Sequence, residues 1–290
     1  MSALMTKAAI SIGDLLIGYA DTYGEIVYDT IQGWHSGAGS RVELEKRVAS
    51  DGAHDPGKTL REPRVVTITG WIAGSTRGQT SDLIHQLRSL FSDGRSQLMT
   101  VADPDHGSLS ATVVQSGGTE VAIDWDGDTF ATWQLSVTAP DPRLYGPDRI
   151  RSVSLPGRGD APGLLEPLAE PLADGWNPSL SGEVVVENPG TAAFWPRLRI
   201  VGPAANPRIW SPDTGSELWL RLTVPAGQFV DVLCKDRRVL AQGVASRRYA
   251  VSYTGDWLAI PAGGASLRWE ADIYEPDAQL FVWAPEGAWL

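Results

Sequence analysis

The chain has 290 residues, a formal net charge of −11 at neutral pH, 42% apolar residues and twelve tryptophans. This composition excludes wholesale disorder, and the negative charge argues against sequence-general binding to nucleic acid. The 31 glycines and 20 prolines divide the chain into many short elements, which argues against a helical bundle and favours an all-β fold. The length predicts two domains.

The first half of the chain predicts strands and a single helix. Arg64 to Ile72 reads RVVTITGWI, a β-branched run typical of a deeply buried strand. Thr80 or Ser81 is a candidate cap for a helix at about residues 80–93, with apolar residues at helical spacing and a glycine at the expected stop. Thr129 to Ala139 alternates apolar and polar side chains, as a half-buried strand does.

The second half repeats the alternating pattern after an irregular segment. Glu217 to Val224 and Leu267 to Tyr274 each place apolar side chains on one face. Residues 151–182 are rich in proline and glycine and show no periodic apolar face, so we expect a linker there. The sequence therefore predicts an N-terminal β domain at 1–150 and a C-terminal β domain at 183–290.

The cysteine count and the hydropathy of the chain exclude further classes of protein. Cys234 is the only cysteine, so an intrachain disulfide and a cysteine-based zinc cluster are excluded. No apolar run approaches the length that spans a bilayer, and the apolar stretch near the start is short for a secretory signal. We expect a soluble protein made in a cytoplasm, with no cofactor and no metal.

Gly52 to Thr59 reads GAHDPGKT, a literal match to the phosphate-binding loop of nucleotide-binding proteins. That loop must follow a buried strand and open a helix, but here the preceding residues are polar and Pro63 would fall in the second turn of the helix. We therefore expect a surface loop and interpret the match as spurious.

One stretch is acidic and lacks basic residues. From Ser96 to Pro142 there is no lysine or arginine, whereas acidic residues accumulate. The run DWDGD has calcium-loop spacing but fails at the diagnostic sixth and twelfth positions, and a hairpin turn at Asp126 and Gly127 explains the same residues. The candidate functional acids of this stretch are Asp103, Asp105, Glu120, Asp124, Asp126 and Asp128.

Catalytic motifs are weak throughout. The four histidines have no partner at metal-site spacing, and no nucleophile elbow is present. We expect no enzyme, although a polysaccharide-cleaving enzyme with paired carboxylates stays open because such carboxylates carry no local motif. Eight tryptophans lie in residues 151–290, and Trp219 falls on the polar face of its strand, so a carbohydrate-binding sandwich is a further alternative.

Several short segments, taken in order, resemble one family. The pair Asp51-Gly52, then Gly57, the strand Arg64 to Ile72 and the helix that follows resemble the N-terminal domain of siphophage distal tail proteins. Ala139 to Tyr145 (APDPRLY) resembles the exit from that domain in tail proteins of actinobacterial phages. In the second half, the segments resembling the family's galectin-like C-terminal sandwich are Glu187 to Gly190, Trp195 to Gly202, Asn206-Pro207, Thr214-Gly215 and Trp257 to Gly263.

This resemblance implies a fold and a role. The fold would be an N-terminal β-sandwich or split-barrel-like ring domain followed by a galectin-like β-sandwich. The role would be that of a minor tail protein in the virion: a hexameric ring at the tail tip, assembled in the host cytoplasm, that lets DNA pass. Its partners would be its own copies, the tail tube protein, the hub or tape-measure protein and the receptor-binding proteins of the baseplate. In such a ring, the acidic stretch would be a channel wall that repels phosphate.

Overall fold

The computed structural model describes residues 9–21, 24–57, 59–103, 107–116, 121–155, 182–273, 275 and 277–290. The fold is all-β with one α-helix in this described part, as the sequence predicts. The chain divides into two compact units, Met1–Gly146 and Pro147–Trp289. No helix among the described residues is long and apolar enough to cross a membrane.

The N-terminal unit is built on a nearly closed, barrel-like sheet. Its order is β2-β1-β8-β9-β11-β7-β4-β3, with β10 beside β11 and β12 beside β9, while β5 and β6 form a separate two-stranded ribbon. Its strands are β1 (Ala9–Ile12), β2 (Leu15–Ile17), β3 (Tyr19–Asp21), β4 (Gly24–Gln32), β5 (Ser40–Arg41), β6 (Leu60–Arg61), β7 (Arg64–Gly74), β8 (Gln97–Asp103), β9 (Gly107–Gln115), β10 (Ala122–Trp125), β11 (Phe130–Ala139) and β12 (Leu144–Tyr145).

The long pairing of β7 with β11 and β4 forms the centre of this unit. Alternate residues of β7 and β11 point into one apolar core, which includes Ile68, Leu135 and Trp133. Gly70 is needed in β7 because a Cβ there would lie 2.0 Å from the carbonyl oxygen of Val27, next to an irregularity in the β4–β7 register. The predicted strands at Arg64 to Ile72 and Thr129 to Ala139 are therefore confirmed.

The single helix, α1 (Arg77–Ser89), begins earlier than predicted. Thr76 is its cap and accepts a hydrogen bond from the backbone of Gln79 at 3.3 Å, so the proposed caps Thr80 and Ser81 are wrong. Thr80 is instead buried, and its hydroxyl donates to the Thr129 carbonyl oxygen at 3.1 Å. This bond fastens α1 to the start of β11, and the polar side chain is buried because it has this partner.

The C-terminal unit contains a six-stranded sheet ordered β13-β25-β15-β20-β21-β22, a five-stranded sheet ordered β14-β24-β17-β18-β23, and a separate β16-β19 pair. A 3₁₀ turn lies at Arg248–Ala250. The strands are β13 (Asp148–Ser154), β14 (Glu183–Val186), β15 (Arg197–Val201), β16 (Ala204–Ala205), β17 (Arg208–Trp210), β18 (Glu217–Leu220), β19 (Thr223–Val224), β20 (Phe229–Leu233), β21 (Arg238–Ala241), β22 (Ala245–Ser246), β23 (Val251–Thr254), β24 (Ala265–Glu270), β25 (Gln279–Pro285) and β26 (Ala288–Trp289).

The structure corrects two local predictions in this unit. The expected linker at 151–182 is wrong at its start, because β13 continues to Ser154 and pairs with β25 along seven residues. Residues 156–181 lie outside the described part of the chain. The alternation predicted for Leu267 to Tyr274 ends at Glu270, so Ile273 is exposed rather than buried.

Candidate assembly surfaces

A hairpin arm, defined here as residues 39–61, leaves the N-terminal unit between β4 and β7. Its two sides are joined by the short ribbon β5–β6 and by backbone hydrogen bonds that lead to a turn near Val48. Every described residue of the arm is exposed except the half-buried Ala53. The arm therefore gains almost no burial from its own unit.

Apolar side chains nevertheless lie on this arm. Val42, Leu44 and Val48 alternate with charged residues, and Leu44 and Val48 are 61% and 103% exposed. Such alternation separates an apolar side from a charged side on an extended segment. A two-stranded hairpin alone is at best marginally stable in water, and clustered exposed apolar groups typically mark an interaction site.

The base of the arm is held by one buried arginine. Arg64, the first residue of β7, is 3% exposed. Its guanidinium donates at 2.9 Å each to the carbonyl oxygens of Gly33, Trp34 and Pro142, and also to that of Ser36. Burial lowers the pKa of this guanidinium. The residues entering and leaving the arm are thus tied to one side chain.

The exit segment APDPRLY meets the same arginine. Asp141 accepts hydrogen bonds from the Arg143 guanidinium at 3.0 Å and from the Tyr145 hydroxyl at 2.7 Å. Burial, together with the Asp141 carboxylate, raises the pKa of Tyr145. Because Pro142 between them accepts from Arg64, two segments that resembled the distal tail family in sequence are in direct contact.

The fold brings three of the six candidate acidic residues together. Asp124, Asp126 and Asp128 lie on the β10–β11 hairpin, and all three are exposed. The Asp126 backbone N–H donates to the Phe130 carbonyl oxygen at 3.0 Å and Trp125 pairs with Ala131, so the hairpin is present but its loop is longer than the predicted tight turn at Asp126 and Gly127. Asp105 and Glu120 lie outside the described residues, and Asp103 ends β8 with its side chain also outside them.

A cation from outside the acidic stretch reaches this hairpin. Arg77, the first residue of α1, forms an ion pair with Asp128 at 2.6 Å, and its guanidinium lies 5.1 Å from the ring centroid of Trp125. This partner could not be predicted from the sequence, because Arg77 is 51 positions away from Asp128. Both side chains of the pair are largely exposed, so solvent screens it strongly.

The phosphate-loop match lies in the arm. Gly52 to Gly57 are exposed apart from the half-buried Ala53, the Gly57 N–H donates to the Asp55 carboxylate at 2.9 Å, and the segment leads into β6 instead of a helix. Lys58 lies outside the described residues. His35, His54 and His85 are exposed. Among the described residues, no group of histidine, cysteine, aspartate or glutamate side chains is arranged to hold a metal ion.

The tryptophans of the C-terminal unit divide between core and surface. Trp257 and Trp269 are buried, and Trp269 lies on the apolar face of β24, as its position in the alternation predicts. Trp219 is 37% exposed on the outer face of the five-stranded sheet. Trp210 and Trp283 are half-buried on β17 and β25.

A buried carboxylate organises the outer face of the six-stranded sheet. Asp231 of β20 is 3% exposed and accepts hydrogen bonds from Arg199 at 2.7 and 2.9 Å and from Arg197 at 3.1 Å. Burial alone would raise the pKa of Asp231, but donation by the two guanidinium groups outweighs it and lowers that pKa. The Arg199 guanidinium also lies 3.9 Å from the ring centroid of Phe229.

Comparison with known proteins gives matches in structure alone. No protein-family model matches the chain, and no curated protein sequence is significantly similar to it. Among solved structures, SPP1 Dit (gp 19.1), described as a paradigm of the hub adsorption apparatus in phages infecting Gram-positive bacteria, matches with a TM-score of 0.67 and 14% identity, over 98% of this chain and 99% of that one. The chain has the fold of a phage distal tail protein.

Two baseplate structures share this distal tail fold. A chain of the phage P2 baseplate in its activated conformation with Ca matches at TM-score 0.54 and 9% identity, over 89% of this chain and 90% of that one. A chain of the p2 baseplate with Sr matches at TM-score 0.55 and 9% identity, over 95% and 97%. The predicted resemblance is thus confirmed for the fold, whereas its assignment to phages of actinobacteria stays a prediction.

Two features that shape the N-terminal surface, the hairpin arm and its anchor Arg64, are not predicted by the sequence analysis. There, residues 41–50, RVELEKRVAS, count only as a polar stretch that argues against a phosphate loop. The alternation of valine and leucine with charged residues was the available signal for the arm. No comparable signal identifies Arg64 as its anchor, because the partners of Arg64 are backbone carbonyls.

Proposed function

We propose that this chain is a non-enzymatic structural protein of a bacteriophage tail tip. It forms a ring, hexameric in the virion, that joins the tail tube to the hub and the receptor-binding proteins of the baseplate and lets DNA pass. The observation that carries the proposal is the match to SPP1 Dit over nearly the full length of both chains. A likeness of one domain alone would not extend to both units.

The hairpin arm supports the ring. Its exposed Val42, Leu44 and Val48 need a covering surface that the described residues of its own unit do not supply. A second copy of the chain suits the arm by charge, because residues 39–61 contain five basic and four acidic residues, whereas the whole chain carries −11. A contact in which each copy inserts its arm into the next copy is head-to-tail, and such contacts give a ring when the rotation from copy to copy closes.

The exposed acids of the β10–β11 hairpin suit a channel wall. Asp124, Asp126 and Asp128 project into solvent, and in a ring they would repel phosphate over about 8 Å at physiological salt. Arg77 neutralises part of this charge at Asp128. The wall therefore depends mainly on Asp124 and Asp126.

The mass of the purified chain in solution, measured by multi-angle light scattering, tests the ring. We expect a multimer for the natural chain and a monomer for Leu44→Asp, because a carboxylate at the contact opposes burial. Ile273→Asp is the matched control: Ile273 is 58% exposed against 61% for Leu44, and it lies in the C-terminal unit. A monomeric natural chain at virion-like concentrations, or equal effects of the two variants, would overturn the proposal.

A further inference from the structure

The outer face of the five-stranded sheet presents two indoles among interleaved charges. We call it the Trp210–Trp219 face, defined by Arg208 and Trp210 of β17, Glu217 and Trp219 of β18, and Glu270 of β24. The strand register sets Arg208 opposite both Trp219 and Glu270, and Trp210 opposite Glu217. Their neighbours in sequence, Ile209, Leu218 and Trp269, point into the core. The face is therefore fixed by the sheet and not by loops.

Its polar groups are held in place by one another. The Arg208 guanidinium donates to both Glu217 carboxylate oxygens at 2.8 Å and to Glu270 at 3.2 Å. At the end of the same face, Arg268 pairs with Glu183 at 3.0 Å. Bidentate pairing fixes the plane of a guanidinium. Donors and acceptors thus stand at defined positions beside the two indoles, which lowers the entropy cost of binding a ligand.

The indoles remain accessible beside this network. Trp219 is 37% exposed and stacks with Arg221, whose guanidinium lies 4.6 Å from the ring centroid. Trp210 is half-buried with Arg208 at 5.4 Å. A flat aromatic surface with adjoining hydrogen-bonding groups is an arrangement that packs against the apolar face of a sugar ring and satisfies its hydroxyls.

The balance of charge selects the class of ligand. The three arginines on or beside this face, Arg208, Arg221 and Arg268, are matched by three glutamates, Glu183, Glu217 and Glu270. A phosphate- or sulfate-bearing polymer would meet as much repulsion as attraction here. A ligand with many hydroxyls and no charge can donate to the carboxylates and accept from the guanidiniums.

We propose that the Trp210–Trp219 face binds a neutral, hydroxyl-rich oligosaccharide. The sugar packs against the part of the Trp219 indole that remains exposed beside Arg221, and its hydroxyls hydrogen-bond to the Arg208–Glu217 pair. The binding uses one sheet of one chain, so it does not depend on assembly into a ring.

Titration calorimetry and saturation-transfer NMR on the full chain test this site. The probes are short neutral oligosaccharides of hexose and of N-acetylhexosamine, with dextran sulfate as the anionic comparison. We expect at least one neutral probe to bind and Trp219→Ala to weaken it by about tenfold or more. Trp283→Ala is the control, because Trp283 is also stacked with arginine, but it is half-buried and lies on the other sheet.

A second variant separates recognition from loss of structure. Arg208→Lys keeps the positive charge but cannot hold the bidentate geometry, so we expect weaker sugar binding with an unchanged circular dichroism spectrum. The proposal is overturned if no neutral probe binds, if dextran sulfate alone binds, or if Trp283→Ala weakens binding as much as Trp219→Ala does. Retention of full affinity by Arg208→Lys would also contradict it.

Discussion

Each unit of this protein is organised by one buried charge, and the two charges are satisfied in opposite ways. In the N-terminal unit, Arg64 has four backbone carbonyl oxygens as acceptors. In the C-terminal unit, Asp231 is held by the guanidiniums of Arg199 and Arg197. Arg64 joins irregular segments that surround the arm, whereas Asp231 joins neighbouring strands of one sheet.

This difference shows what each buried charge does for the surface near it. Carbonyls of an irregular chain have few other donors, so one arginine can fix the loop from which the arm projects. Asp231 lies opposite Arg199 in the strand register, so the sheet would keep its pairing without it. We infer that Arg64 positions an assembly element, whereas Asp231 reinforces a sheet that its backbone already specifies.

The largest effect is expected for Arg64→Ala. Removing the guanidinium leaves buried carbonyls without donors, at a cost of about 3 kcal/mol in the free energy of unfolding of the N-terminal unit. Urea denaturation, with hydrogen exchange followed on peptides of β4 and β7, measures the loss. Arg61→Ala is the control, because Arg61 donates to Ala38 and Ser40 from an exposed position; we expect it to cost about 0.5 kcal/mol or less.

A smaller loss is expected for Asp231→Ala. The variant leaves Arg197 and Arg199 without their carboxylate, but their side chains are 46% and 28% exposed and water replaces part of the interaction. We expect about 2 kcal/mol, confined to peptides of β15, β20 and β25 in hydrogen exchange. If Arg64→Ala and Asp231→Ala lowered the free energy of unfolding of their units equally, the proposed difference between the two buried charges would be wrong.

Acid should weaken the two units differently. The folded-state pKa of Asp231 lies below its unfolded value of about 3.9, so its contribution is present above that value and is lost as the pH falls through the folded-state pKa. Arg64 stays charged throughout this window. In Asp231→Asn, the acid-dependent loss of protection in β20 should therefore be reduced, and the protection of β7 should be unchanged. Identical acid profiles for Asp231→Asn and the natural chain would contradict this.

The sequence predicts the elements that depend on neighbouring residues, but not those that depend on contacts between distant parts of the chain. The alternation in Thr129 to Ala139 and the hairpin between β10 and β11 are local, and both are confirmed, although the loop of the hairpin is longer than the predicted two-residue turn. The pairing of β13 with β25 is not local, because the two strands lie far apart in the sequence. In addition, β13 is an edge strand whose residues are mostly exposed, so it shows little apolar pattern. The predicted linker therefore begins too early, at residue 151, inside the strand that ends at Ser154.

The candidate sites follow the same rule. The alternation in β18 predicts that Trp219 lies outside the core, because its side chain points to the face opposite that of Leu218 and Leu220. The partners of Arg208 on two other strands depend on register, which a single sequence does not specify. The helix cap was misplaced by one turn because Thr80 and Thr76 carry the same side chain, and only the fold shows which one faces the Thr129 carbonyl.

The smallest effect on stability is expected for surface charges that organise neither unit. Replacing Asp124, Asp126 and Asp128 with lysine should change the free energy of unfolding by about 0.5 kcal/mol or less at each position, since all three are exposed. In assembled particles the triple variant should slow DNA ejection at low salt and recover at high salt. Normal ejection at every ionic strength would show that this hairpin does not face the channel.

The central claim, that the arm anchored by Arg64 joins one copy of the chain to the next, is tested most directly by cross-linking from Leu44. Cys234, the only cysteine, is 1% exposed and burial raises the pKa of its thiol, so Leu44→Cys adds the one reactive thiol of the chain. A photoreactive maleimide at position 44 should give a ladder of covalent multimers ending at six on a denaturing gel, whereas Ile273→Cys should give monomer. Monomer from both variants, under conditions where the chain assembles, would contradict the account.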